Sequence, residues 1–401
     1  MSHPTPFAQL LPVPEGTRLV HIGPPKTGTT TLQAAFDRAR DSLLPQGVRY
    51  AGPRRHSREA AMAASRTGPG DGRGSARGER EWQAIVGEMR SATEGRVVFS
   101  SERLSHAGPD AIREIVDQLG VDRLRIAVTL RPLWKVLPSQ WQQGVQGGLV
   151  GSIDDWLRDA LASGADDLRS VWYRHRHDRL IERWGGVVGI DRITVIVADD
   201  RDRTMLLRAF EQLLELEAGT LRLHDDLSNR SLTLPEIEAV RALNVELRAA
   251  RLPPSTYRRL METGASLRMK LRDPAPDEPP IELPAWAAPR VGMIAQEIVT
   301  GIARSGVQVV GDLDGLARMP DMAAPPGSDV SCITPAAAAA LAAGLLETTG
   351  VMGSGAHAAG ESLPIDLDRV PLRRLATVVA RRVGQRAATR SRELLRGLDR
   401  R

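Results

Sequence analysis

The sequence predicts an α/β fold: three layers, α/β/α, with helices on both faces of a parallel five-stranded sheet and a helical C-terminal extension. Two observations carry this. Five short segments rich in β-branched and apolar residues read as buried strands: "RLVHIG" (18–23), "VRYAG" (48–52), "RVVFSSE" (96–102), "RIAVTL" (125–130) and "ITVIVAD" (193–199). Helical patterns alternate with them at 29–40, 81–91, 109–119, 132–145, 152–162, 170–184 and 202–217. Ligands of such sheets bind at the carboxyl ends of the strands. Three of the five strand ends run into chemically distinctive residues.

The first strand opens into "HIGPPKTGTT" (21–30). A Walker A loop, G-x-x-x-x-G-K-[ST], carries its lysine directly after the second glycine. Here Thr29 follows Gly28, and Lys26 sits inside the loop. A strand ending at Gly23 and a helix starting near Thr29 still leave backbone N–H groups unpaired at the helix start, which makes an anion site. Gly28 allows close backbone approach, and the Thr29 and Thr30 hydroxyls add donors. An ordinary strand–turn–helix with threonine caps is the plainer alternative.

Residues 53–80 are rich in Gly, Arg and Ser without clear periodicity and read as a long flexible loop. The third strand then ends in Glu102, a carboxylate at the sheet's crevice that could accept a proton from a hydroxyl. An ion-paired or capping glutamate is its bland reading, and His106 is a competing base ranked below it. After the fourth strand comes "TLRPLWKVLPSQW" (129–141), in which Arg131 and Ser139 are a little over two helical turns apart and can share a face. A guanidinium and a hydroxyl converging there would suit a phosphate.

A helical region over 200–318 completes the first domain (1–318), with helices at 234–249 and 286–305 and a short apolar segment at 306–312. A Pro/Gly-rich linker covers 319–335, and an alanine- and arginine-rich helical extension covers 336–401. There is no internal repeat.

Composition narrows the function classes. Three of the 54 basic residues are lysines (Lys26, Lys135 and Lys270) and the rest arginines, so a lysine placed in a loop marks lysine chemistry. From Val370 onward ten arginines stand against Glu393 and Asp399, more than the whole net charge of +5. The basic balance therefore belongs to the tail, and the main domain gives no sign of nucleic-acid binding. The tail reads as a basic helix able to contact an anionic surface. One cysteine, Cys332, excludes an intrachain disulfide framework and points to the cytoplasm. No signal peptide is evident, and no apolar tract is long enough to span a bilayer.

Taken together, "PPKTGTTT", the Arg131…Ser139 spacing and "SSE" resemble the sulfotransferases that use 3′-phosphoadenosine 5′-phosphosulfate (PAPS), in particular the bacterial branch with a glutamate base. "WYRHRHDRLIERWGGVVGIDRITVIVADD" (172–200) and "LSNRSLTLPEIEAVRALN" (227–244) are similar to bacterial members in order and character. The resemblance implies a P-loop-like fold and transfer of a sulfuryl group to a hydroxyl, or an amine, of a carbohydrate, lipid or small-metabolite acceptor. It implies Lys26, Thr27, Gly28, Thr29, Thr30 and Thr31 around the 5′-phosphosulfate, with Lys26 meeting charge on the leaving phosphate. It places Arg131 and Ser139 on the 3′-phosphate and Glu102 as general base; the family's later R-K-G element is absent, which leaves Arg230 as a second phosphate contact. PAP would be the product. No His/Cys/carboxylate cluster in the sequence has metal-ligand spacing, so no metal requirement is expected. The sequence departs at Thr31, where many members carry an adenine-stacking tryptophan; Trp134 and Trp141 are the aromatic residues nearby. A P-loop kinase or NTPase, and a non-catalytic PAP-binding protein, are the competing readings.

Overall fold

A computed structural model describes residues 10–68, 74–165, 167, 170–223, 230–320, 332–348 and 370–371. They divide into two compact units. The first comprises 1–136, 157–224 and 285–322, and the second 137–156, 225–284 and 323–401.

The first unit is built on a parallel sheet. Its strands are β1 (Arg18–His21), β2 (Val48–Tyr50), β3 (Arg96–Ser100), β4 (Leu124–Leu130), β5 (Ile193–Val197) and β6 (Gln308–Val310). Their order is β2-β3-β1-β4-β5-β6, all pairs parallel. The expected count of five is corrected to six. "QVV" within the 306–312 apolar segment adds an edge strand to β5, pairing Val195 with Val309. Three residues are too few to show a strand period, so the sequence marks the segment only as apolar.

Continuous apolar runs bury the central strands on both faces, as helix-covered parallel sheets require. The helix Thr29–Arg38 packs Leu32, Ala35 and Phe36 inward, and Phe36 stacks on Tyr50 at 5.2 Å and meets Phe210 edge-on at 5.8 Å. The helix Pro109–Leu119 begins with Pro at its first position after Gly108 and stops at Gly120; Ile112, Ile115, Val116 and Leu119 form its buried stripe. The 53–80 segment is not one loop. It contains the helix Arg58–Ala64 and the first turns of Ala76–Ser91, whose cap Ser75 accepts the Gly78 N–H at 3.0 Å.

The second unit is helical. Leu234–Ala249 starts at Thr233, whose N–H donates to the Glu236 carboxylate at 2.8 Å. A run from Pro254 to Leu271, with π geometry over Arg259–Ala265, packs against Pro335–Thr348. Gly264 and Gly344 make that approach: a Cβ on Gly264 would lie 2.5 Å from the Gly344 carbonyl oxygen. The expected basic helix lies outside the described residues, apart from Val370–Pro371. Those two form a short antiparallel pair with Cys332–Ile333, not a helical turn. No helix among the described residues is long and apolar enough to cross a membrane.

Candidate functional site

Beneath the loop that follows β1 lies a chain of buried polar side chains drawn from three adjacent strands. His21, fully buried at the end of β1, has its Nδ1 2.8 Å from Ser100 Oγ of β3 and its Nε2 3.0 Å from Thr129 Oγ1 of β4. Thr129 Oγ1 lies 2.9 Å from Thr27 Oγ1, which donates to the Pro24 carbonyl at 2.7 Å. Burial depresses the imidazole to a pKa of about 3, so it is neutral. Donor counting then fixes every proton. The Pro24 carbonyl can only accept, so the Thr27 hydroxyl gives its proton there and accepts from Thr129. Thr129 must accept from His21 Nε2–H, which leaves Nδ1 as acceptor for Ser100. Gly23 makes room for this relay, because a Cβ there would fall 2.1 Å from Thr129 Oγ1.

The relay fixes the loop from below. Lys26 and Gly28 both hold left-handed backbones, at φ 72° and 97°. That is routine for glycine and uncommon for lysine, and such turns accompany anion-binding concavities. The first helical hydrogen bond runs from Leu32 N–H to the Gly28 carbonyl at 3.1 Å. The N–H groups of Gly28, Thr29, Thr30 and Thr31 make no backbone hydrogen bond among the described residues. The hydroxyls divide: Thr27 and Thr29 are buried, with Thr29 turned to the Gly23 carbonyl at 3.4 Å, whereas Thr30 is exposed and Thr31 half-buried. The accessible hydroxyls of the loop are therefore those of Thr30 and Thr31.

Glu102 opens a short 3₁₀ turn (Glu102–His106), two residues past Ser100 and so beside the loop across the β1–β3 pairing. It is half-buried, and its carboxylate makes no hydrogen bond or ion pair among the described residues. The loop's own helix reaches this segment: Gln33 Nε2 donates to the Ser100 carbonyl at 2.8 Å. Its oxygen, 2.6 Å from His56, therefore accepts from His56 Nδ1–H. Sequence reasoning missed His56. Its pKa is lowered by partial burial and by Arg55, against an opposing pull from Glu102. His106 is pushed down to about 2 by burial and by Arg174 and Arg103, which makes it a poor proton acceptor.

On the other side of β1, Arg131 follows β4. Its Nε and Nη2 grip the two carboxylate oxygens of Asp200 at 3.2 and 3.0 Å, and Lys135 pairs with the same group. Burial would raise the Asp200 pKa, but hydrogen bonds and charge from Lys135 and Arg131 hold it below its usual value. Lys135 also covers the Trp134 ring at 4.7 Å. Two cations on one carboxylate leave a net positive group at the end of β4. Lys135, one of three lysines in the chain, was the available sequence signal for it.

Ser139 and Arg230 belong to the second unit, where they line one cleft with Gln142, Thr233 and Glu278. Arg230 forks onto the fully buried Glu236 at 2.9 and 3.0 Å, and Arg272 joins Glu236 to Glu278. Trp141 is buried in this unit's core, with Nε1–H on the Gly151 carbonyl at 3.2 Å. Among the described residues no group of three or more His, Cys, Asp or Glu is placed to hold a metal ion.

No family model matches the chain, and no curated protein matches it. Among solved structures, the crystal structure of a sulfotransferase from Alicyclobacillus acidocaldarius is similar to it at 20% identity, covering 61% of this chain and 99% of that one. The TM-score is 0.33, and a superposition of that size fixes neither fold nor function.

Proposed function

We propose that the chain transfers a sulfuryl group from PAPS to a hydroxyl of an acceptor molecule. One observation supports this above the others. A helix-start loop with a left-handed Lys26 stands at the end of β1 and Glu102 at the neighbouring end of β3, and among the described residues the loop's amides make no backbone hydrogen bond and the Glu102 carboxylate has no partner. An anion seat beside a free carboxylate is what in-line transfer to a hydroxyl needs.

The donor set fits a phosphate-bearing ligand: amides, an ammonium and two accessible threonine hydroxyls, with no acid in the loop. PAPS, when bound, supplies the activated sulfuryl group. Glu102 takes the acceptor hydroxyl proton as that oxygen forms its bond to sulfur. Lys26 and the amides of 27–30 hold the charge left on the phosphate oxygen as the old S–O bond breaks. Arg131, with Lys135 beside it, holds the 3′-phosphate, and Asp200 keeps the guanidinium edge oriented. Arg230, already committed to Glu236, is the weakest of the sequence-derived contacts.

The test is transfer of radiolabelled sulfur from PAPS into a panel of hydroxylated acceptors, with Glu102→Gln beside the wild type. Label transfer that falls by ~10²–10⁴-fold in the variant supports the reading. Transfer undiminished in the variant would remove Glu102 from it.

A further inference from the structure

Next to Glu102 the first unit gathers several arginines. The turn Glu102–His106 packs against the short helix Trp172–His175, and the Tyr173 hydroxyl donates to the Ala107 carbonyl at 3.3 Å. Arg183 lies over the Tyr173 ring at 3.9 Å. Arg103 and Arg174 are half-buried here, and among the described residues neither guanidinium has an ion pair or hydrogen bond. Their Nε atoms are shut off from solvent without a partner, as is His106 Nε2. His175 is fully buried, and both of its ring nitrogens are unpartnered.

Buried polar groups in folded proteins are nearly always hydrogen-bonded, and a site where several are not points to a missing ligand. Here the unsatisfied groups lie together, two carry positive charge, and the two guanidinium charges oppose one another: Arg174 is held down to about 10 by burial and by Arg103. A dry apolar packing would be better served by neutral side chains. The Nη edges of the two guanidiniums are not shut off in this way, and an oxyanion against them would accept their N–H groups and cancel the charge.

We propose that Arg103 and Arg174 seat an oxyanion of the acceptor, a carboxylate or sulfate group, and so present its hydroxyl to Glu102. The acceptor is then an anionic molecule. This deepens the sulfuryl-transfer reading and rests on it for the identity of the ligand.

The experiment compares thermal melting of the full chain in sodium sulfate and in sodium chloride at equal ionic strength, with and without PAP. The wild type is set beside the Arg103→Gln/Arg174→Gln pair. Sulfate stabilises most proteins by exclusion from their surface, so the readout is the gain of the wild type over the variant. The expected result is a saturable sulfate gain of several degrees in the wild type that is lost in the variant, with PAP affinity the same in both. An equal sulfate gain in both proteins overturns the proposal, whatever PAP does. Should the double variant not fold, Arg174→Lys keeps the charge and loses the fork. A sulfate response weakened roughly tenfold is then expected, and an unchanged one overturns the seat. Absence of PAP binding with the sulfate difference intact would sink the donor reading alone.

Discussion

Thr27 and Thr129, 102 residues apart in sequence, bring their hydroxyl oxygens within 2.9 Å of each other beneath the loop after β1. This contact joins the loop to the relay through His21 to Ser100, so three strand ends hold the loop in one shape. Thr129→Val keeps the volume and removes the link, stranding His21 Nε2–H and leaving Thr27 its bond to the Pro24 carbonyl alone. We expect a loss of ~2 kcal/mol in denaturant-unfolding stability, together with weaker anion binding at the loop. A variant as stable as the wild type would show that the relay does not hold the loop.

Lys26 separates function from folding. A left-handed backbone costs an L-residue ~1–2 kcal/mol, and glycine avoids that cost. Lys26→Gly gives up the side chain's own interactions but relieves that cost, so turnover should fall far more than stability. Parallel losses of stability and turnover would make Lys26 a structural residue.

The same separation distinguishes two arginines. Arg131→Ala leaves Asp200 paired with Lys135, so melting should barely move while PAP binding weakens by ~10–100-fold. Arg230→Ala removes one partner of the fully buried Glu236 and should destabilise by ~3 kcal/mol, with little direct effect on PAP at matched folded fraction. Calorimetric titration and melting of both variants test this; exchanged outcomes would exchange the roles.

Stability should fall steeply with acid. Burial pushes His21 to about 3, His177 to about 4, His106 to about 2, and His175 well below its ordinary value. Each binds its proton more readily when the chain is unfolded, so the unfolded state takes up more protons below an ordinary histidine pKa of ~6.5. The stability they contribute is complete above that pH and is lost as pH falls toward the folded values, at ~1.4 kcal/mol per pH unit for each. Melting followed from pH 8 to 5 should show a flat region and then a sharp decline. His175→Leu should make the decline shallower.

Much of the sheet is legible from the sequence because buried strands and amphipathic helices each have their own period. The loop, Glu102 and Arg131 are legible because they stand at strand ends. The helix Arg58–Ala64 was hidden by flanking Gly, Arg and Ser, although "EAAMAA" itself favours a helix. The His21–Thr129–Thr27 relay depends on pairing between strands far apart in sequence, and its faint signal is polar residues inside apolar strands. Asp200 as partner of Arg131 is equally non-local. The commitment of Arg230 to Glu236 was nearer to hand, since Thr233 and Glu236 have capping-box spacing and Glu236 lies one turn beyond the arginine's own loop.

The most direct measurement of the central claim is ligand stabilisation of the wild-type chain by PAP, compared with ATP–magnesium and with buffer. Binding only to the folded state raises the melting temperature by mass action. The sulfuryl-transfer reading predicts a saturable rise with PAP that Arg131→Ala diminishes, and a smaller response or none with ATP–magnesium. Stabilisation by ATP–magnesium with none by PAP would contradict it and identify the loop as a nucleotide triphosphate site.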